Sequence, residues 1–390
     1  MLLSYFTMKT RLLLLLIFIS AGLNAQDYYF PERNANWQEL SIKDTGWSAS
    51  GIDDVVAFAK ANEYSGSRDL RIAILEGFKR EPFHEILGKT KKRGGPAGMI
   101  LKNGKLVASW GDTKRVDMTF SVTKSFLSTM AGLAIDQKLI ASVDDKVGTY
   151  VWDNTFKGKH NSQITWRHLL QQNSAWQGSL WGGKDWADRP PSSGDLDDWQ
   201  YAAPKTPGTV MEYNDVRVNV LSYSLLNIWR KPLPQVMREE LMDKIDATTT
   251  WRWEGYKDAW VEIDGLQMKS VTGGGHSGAG IFISAEDMAR FGLLFLNDGK
   301  WKNDQIISKD WIDIGIEPST PNVNYGFMWW LNTKEGARHW KGVDEDIFYA
   351  AGFGGNFIII DKKNDLVIVT RWLEPSKVGE FMQLVTKAVK

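Results

Sequence analysis

Cysteine is absent from all 390 residues. That excludes thiol catalysis, iron–sulfur clusters, cysteine zinc sites and a lipid-modified cysteine anchor, and it leaves the fold without disulfides. Histidine is scarce as well. His84, His160, His168, His276 and His339 are scattered and form no His-Glu-x-x-His pair, so no metal site and no cofactor is expected. Neither sign of charge is in excess, with 47 basic and 47 acidic residues, and nothing in the electrostatics asks for a nucleic acid partner. The short basic run Lys89, Lys91, Lys92, Arg93 reads as a solvated loop. Beyond residue 26 no apolar run approaches the roughly 18 residues of a spanning helix, so stable membrane insertion is not expected.

Hydrophobic residues make up 43% of the chain, enough for a large buried core in one domain or two closely packed ones. The stretch MKTRLLLLLIFISAGLNAQ places Lys9 and Arg11 ahead of an apolar block from Leu12 to Ile19 and a small-residue exit near Ala25. It reads as a signal peptide over residues 1–25, with export to the periplasm or the medium expected.

Behind Ser50 as a cap, the spacing predicts a helix over 51–63. DLRIAILEG and AGMILKNGKLVASWG are expected as strands, the second folded into a hairpin at Asn103-Gly104. A helix begins near Ser121, and shorter helices are expected in ITWRHLLQQNS and RVNVLSYSLLNIW. Between these two lies an irregular stretch over 174–210 that carries Trp176, Trp181, Trp186 and Trp199, aromatic bulk that seeks burial or a ligand. SAEDMARFGLLFLNDG has a capping serine, an apolar stripe and a glycine stop. Strands follow at YGFMWWLN, IFYAA and NFIIIDKKNDLVIVTRW, then a helix over about 376–389. This order predicts an α+β fold: an antiparallel sheet from both chain termini flanked by helices (about 45–120 and 284–390), with a mainly helical part inserted from the middle (about 121–283).

The run FSVTKSFLST contains Ser121 and Lys124. Three apart on a helix, the two share one face with Cβ atoms about 5–6 Å apart. A serine hydroxyl needs a base to become a nucleophile, whereas a lysine near neutral pH must lose its proton at a cost of about 4 kcal/mol to serve as one. Roughly two Ser-x-x-Lys matches are expected by chance in a chain of this composition, so the four residues alone favour a helix cap beside a solvent-seeking lysine.

The surrounding tract TFSVTKSFLSTMAGLAIDQKLIASVDDKVGTYV resembles the core signature of the serine β-lactamase and penicillin-binding-protein superfamily. It is most similar to the branch of class C β-lactamases, D-alanyl-D-alanine carboxypeptidases, secreted esterases and 6-aminohexanoate-dimer hydrolases. Further blocks match in order: AGMILKNGKLVASWGD, ITWRHLLQQNS, PGTVMEYNDVRVNVLSYSLL, GGGHSGAGIFISAEDMARFGLLFLNDGKW and YAAGFGGNFIIIDKKNDLVIVTRW, so the likeness covers about 45–388. It implies a β-lactamase/transpeptidase-like fold, Ser121 as the acylated nucleophile, Lys124 as base or proton relay, and Tyr213 as the proton-transferring tyrosine. The backbone amides of Ser121 and Phe353 are the implied oxyanion donors.

The chain departs from that pattern twice. Asp215 stands where asparagine is usual; an ionised carboxylate only accepts hydrogen bonds, and pairing with Lys124 would hold the lysine charged and shift weight to Tyr213. Ala350-Ala351-Gly352 stands where the family has Lys-Thr-Gly or His-Thr-Gly, which removes a cationic or hydroxyl anchor for a substrate carboxylate. Gly352, His276 and Trp176 complete the candidate substrate-binding set with Asp215. His276 can equally satisfy its own loop, and Trp176 can equally pin its own. Gly273, Gly275 and Gly278 match G-x-G-x-x-G, but AGIFIS reads as a strand where a dinucleotide site requires a helix. The expectation is an exported serine hydrolase acting on an ester or amide of a small or oligomeric substrate. Action on β-lactams or D-alanyl peptides, and a catalytically silent binding protein, are the alternatives.

Overall fold

The computed structural model describes residues 28–390; the signal peptide expected over residues 1–25 lies outside them. Asn103 and Gly104 take φ of 50° and 75°, the paired positive values of a tight hairpin turn. They join β1 (Ala97–Lys102) to β2 (Lys105–Trp110). The C-terminal part supplies β3 (Trp330–Leu331), β4 (Phe348–Gly352), β5 (Asn356–Asp361) and β6 (Leu366–Arg371). Every neighbour is antiparallel in the order β3-β4-β5-β6-β1-β2. The two ends of the chain meet at the β1–β6 ladder, from Ala97 opposite Arg371 to Lys102 opposite Leu366.

Strand periodicity divides the core. Met99, Leu101, Phe348, Ala350, Ile358, Ile360, Val367 and Val369 pack to one side. Ile100, Tyr349, Phe357, Ile359, Leu366 and Ile368 pack to the other. Because both faces are covered, β5 and β6 are buried at every position, which explains why their sequences are continuously apolar rather than alternating. Helices α1 (Ala49–Ala61) and α6 (Val378–Ala388) cover the second face. The first is covered by α5 (Ala285–Leu296), whose cap Ser284 accepts from the Asp287 amide, and by α3 (Thr123–Asp136). Phe126 of α3 stacks on Phe291 of α5 with centroids 3.8 Å apart. Among the described residues no helix is long and apolar enough to cross a membrane.

Three sequence expectations are corrected. The cap of α1 is Ser48, whose Oγ accepts the Gly51 amide at 3.1 Å, and not Ser50, which lies within the first turn. DLRIAILEG is not a strand but α2 (Leu70–Gly77): Asp69 caps it by accepting from the Arg71 amide at 2.9 Å, and Leu70, Ala73 and Ile74 recur at helical spacing into the core. YGFMWWLN contributes only the two residues of β3. Met328 takes a left-handed φ of 61° and its amide turns to the Leu170 carbonyl, which breaks the ladder. The other expected elements form, RVNVLSYSLLNIW as α4 (Asp215–Trp229), ITWRHLLQQNS as the short helix Trp166–Leu170, and AGIFIS as the strand Gly280–Ile283.

Candidate active site

Ser121 sits in a 3₁₀ turn, Phe120–Val122, that leads into α3. Phe120 before it has φ 51°, a conformation costing a non-glycine residue about 1–2 kcal/mol. Its ring is gripped between Phe353 and Trp372, centroids 5.1 and 6.3 Å away. The turn abuts the end of β4: a Cβ on Gly352 would lie 2.2 Å from the Thr119 carbonyl oxygen. Only glycine permits that approach, and it brings the Ser121 turn beside Phe353.

Ser121 is partly exposed, while α3 is buried from Thr123 to Ala134, Lys124 included. The Lys124 ammonium donates to Ser121 Oγ at 2.9 Å and to Asp215 Oδ1 at 2.6 Å. It also lies 4.7 Å from the centroid of the Tyr213 ring. Asp215 arrives as the first residue of α4, behind Asn214, whose side chain caps the helix on the Arg217 amide. Tyr213-Asn214-Asp215 therefore delivers its outer residues to Lys124 and spends its middle one on starting a helix. The third wall is glycine-rich. A Cβ on Gly274 would fall 2.1 Å from Asp215 Oδ1 and 2.8 Å from Lys124 Nζ, so the bare backbone of this loop seals the ion pair from solvent.

An unforeseen cation completes the network. Arg189, near the middle of the irregular 174–210 segment, places its guanidinium 2.7 Å from Asp215 Oδ2 and 2.6 Å from Asp188 Oδ1. Asp188 in turn accepts from the Asp215 and Val216 amides at the head of α4, where the helix dipole favours a carboxylate. Burial alone would raise the Asp215 carboxyl; Lys124 and Arg189 outweigh it and hold the group well below the usual carboxylate range. Asp215 is thus an anion shared by two cations. Arg189 also lies 5.1 Å from the Tyr213 ring centroid.

His276 stands behind Arg189. Arg189 Nη2 is 3.1 Å from His276 Nδ1, which makes that nitrogen the acceptor and assigns the proton to Nε2, 2.5 Å from Glu81 Oε2. Glu81 Oε1 also accepts the Arg189 amide. His276 consequently positions Arg189 rather than meeting the serine. Two groups could offer three metal ligands each, Glu81 with His84 and His276, and Asp188 with Asp215 and His276. In the second the guanidinium of Arg189 already lies against all three members.

These residues border a cleft of about 750 Å³ that reaches Ser121, Tyr213, Asp215, Gly352 and Phe353 and is walled by Tyr64, Phe78, Trp330, Trp340, Tyr349 and Phe357. Trp176 is not on it. Trp176 is buried in the main core with Nε1 bonded to the Thr155 carbonyl at 2.8 Å, so its role is to pin its loop. That loop reaches the cleft through Arg189 and not through its tryptophans. Arg189, Asp188 and Glu81 escape sequence reasoning because no spacing links them to Ser121. The one available signal was Asp215 itself, since an added buried anion calls for an added cation.

The family model described as Beta-lactamase matches residues 83–371. A curated 6-aminohexanoate-dimer hydrolase from Paenarthrobacter ureafaciens is 25% identical over 149 residues, and the match spans 34% of each chain, about a third of that relative's length. Among solved structures, a chain from Bacteroides dorei provisionally assigned as a β-lactamase superposes with a TM-score of 0.59 at 16% identity, covering 88% of this chain and 99% of that one. A family VIII carboxylesterase gives 0.53 at 17%, covering 76% and 92%. At such identities the structures establish the fold, a helix-flanked antiparallel sheet of the β-lactamase/transpeptidase type. With the family model spanning most of its length, the chain belongs to the beta-lactamase family.

Proposed function

We propose that the protein is an exported esterase or amidase that forms an acyl-enzyme on Ser121. The observation that carries this reading is the Lys124 ammonium held between Ser121 Oγ and Asp215, at the floor of an aromatic cleft. Oγ attacks the carbonyl carbon of the substrate, and the backbone amides of Ser121 and Phe353 receive the developing oxyanion; one such donor is typically worth about 3–4 kcal/mol in the barrier. Lys124, paired with Asp215, acts as the cation that orients Oγ. Tyr213 relays the proton: its hydroxyl oxygen accepts the proton of Ser121 Oγ as its own proton passes to the leaving oxygen or nitrogen. Negative charge passing into its ring meets Lys124 and Arg189. Water then attacks the acyl-enzyme by the reverse route, which releases the acid and restores Ser121.

A small or medium ester or amide fits the cleft. The hydrolase of the 6-aminohexanoate dimer cleaves an amide and the carboxylesterase an ester, and both bonds suit this chemistry. β-Lactams and D-alanyl peptides are the second reading, favoured by the likeness to the Bacteroides dorei chain. Against them, Ala350 and Ala351 offer no cation or hydroxyl on β4. The leader over residues 1–25 supports export.

The test is a panel of short esters, amides and a labelled penicillin, with fluorophosphonate labelling, on wild type and Ser121→Ala. Labelling and turnover are expected to vanish together in the variant. A profile indifferent to Ser121→Ala would sink the mechanism, and Ser121-dependent penicillin acylation would favour the second reading.

A further inference from the structure

One cation on the cleft has no acid of its own. Arg338 lies in the segment between β3 and β4 and is exposed on the cleft wall. Its guanidinium sits 3.8 Å from the centroid of the Trp330 ring, and Tyr349 lines the same cleft beside it. Of the four acids of the same segment, Glu345 pairs with Lys334 and Asp344 with Lys363, and neither Glu335 nor Asp346 forms an ion pair with Arg338. Among the described residues Arg338 forms no ion pair, whereas Arg189 spends its charge on Asp188 and Asp215.

The segment is fixed in advance of any ligand. Asn324 Oδ1 accepts the Arg338 amide at 3.0 Å, Asn332 Oδ1 accepts the Trp340 amide at 2.7 Å, and the Asn332 carbonyl lies 2.9 Å from His339 Nδ1. A Cβ on Gly336 would lie 1.9 Å from Asn324 Oδ1, so the backbone packs directly on that side chain. A guanidinium stacked by one face on an indole keeps its edge free. With five donors in a planar fork, that edge matches a carboxylate in bidentate fashion.

Distance then places the subsite. Lys124 Nζ lies 4.7 Å from the Tyr213 centroid, Tyr213 stacks on Trp330 at 5.7 Å, and Trp330 carries Arg338 at 3.8 Å. Laid end to end these bound the separation of Arg338 from Lys124 at about 14 Å, the span of some four extended residues. Tyr213, the leaving-group residue of the mechanism above, is the middle of that stack.

We propose that Arg338, backed by Trp330 and Tyr349, is an oxyanion subsite that holds a carboxylate borne by the leaving group of the substrate. The assignment rests on the acyl-enzyme reading of Ser121 and Tyr213. It also places a carboxylate anchor in this chain on the segment before β4, at a position different from the absent strand triad.

The test compares 6-acetoxyhexanoate with 6-acetoxyhexanamide, which differ only in the charge of the leaving alcohol, and methyl hydrogen adipate with methyl adipamate, which carry that difference on the acyl side. Wild type is expected to favour 6-acetoxyhexanoate over its amide by tenfold or more in kcat/KM, chiefly through KM, the range of a hydrogen bond to a charged group. Arg338→Ala is expected to bring that ratio close to one, and Arg338→Lys to keep part of it. Because the ratio is internal to each protein, a general loss of activity does not imitate the result. An unchanged ratio in Arg338→Ala, or a preference confined to the adipate pair, would overturn the proposal. Calorimetric titration of Ser121→Ala with and without Arg338→Ala, using 6-acetoxyhexanoate and its amide, separates the two ideas: turnover that fails while Arg338-dependent binding persists removes the acyl-enzyme reading and leaves the subsite, and binding indifferent to Arg338→Ala removes the subsite.

Discussion

Arg189 is what allows aspartate at position 215. Lys124 and Asp215 are essentially dry, with side-chain exposures of 1% and 3%, and Arg189 is 28% exposed. Stripping one partner from a buried pair costs about 3–5 kcal/mol. Partial exposure places Arg189→Ala near the low end, about 3 kcal/mol, because solvent screens part of the interaction. With Asp215→Asn already present only Asp188 is left uncompensated, and the same truncation is expected to cost about half as much, since Asp188 keeps the amides at the head of α4. The cycle of wild type, two single variants and the double variant is therefore expected to give a coupling of about 1.5 kcal/mol from urea midpoints, well outside the 0.3–0.5 kcal/mol scatter of independent sites. Acylation follows the same logic. In Arg189→Ala the whole charge of Asp215 falls on Lys124, the lysine is held from Oγ, and fluorophosphonate labelling slows by about tenfold or more, a loss that Asp215→Asn partly restores. Equal costs of Arg189→Ala in both backgrounds would refute the shared-anion account.

Gly274→Ala is expected to cut acylation at least tenfold, because its Cβ would occupy the space of Asp215 Oδ1 and Lys124 Nζ; circular dichroism and the labelling rate check that the fold persists while the rate falls. Asp215→Asn is expected to change the rate without abolishing labelling, and complete loss would mean that the carboxylate itself takes part. The same variant tests the pH dependence of stability. The Asp215 carboxyl is depressed in the folded state, so the stability it contributes is present above the ordinary carboxylate pKa of about 4 and is lost progressively as pH falls below it. The difference in urea midpoint between wild type and Asp215→Asn is expected to move against wild type between pH 6 and pH 3, and a difference that stays constant would contradict the depressed carboxyl.

Much of this was legible in sequence. The strands of the sheet carry unbroken apolar runs, and turns at Asn103-Gly104 and Asn364-Asp365 mark their hairpins. Ser121, Lys124, Tyr213 and Asp215 stand together as the ordered blocks implied. DLRIAILEG misled because a short run of Leu and Ile fits either period, and the decision belonged to the Asp69 cap. Trp176 misled because aromatic bulk in a long loop signals burial or a ligand without saying which. Arg189 and Arg338 were invisible for a different reason: an arginine acquires meaning from the acids within a few ångströms of it, and those lie at 188 and 215 in one case and nowhere on the segment in the other.

The nucleophile and its tuning belong to parts of the molecule that open at different free energies. Lys124 rides on α3, enclosed between sheet and helices, and Ser121 on the turn that leads into it, whereas Arg189 hangs from a segment whose next fifteen or so residues are nearly all bathed in water. Local opening is drawn from such poorly packed, solvent-exposed stretches and only lastly from core helices. Mild denaturant therefore detaches the guanidinium from Asp215 before it disturbs the serine, and the protein passes through a state in which the chemical groups are intact and their electrostatic balance is not. Loss of activity on gradual unfolding then tracks the loosening of a surface loop, and the melting of the core reports something later.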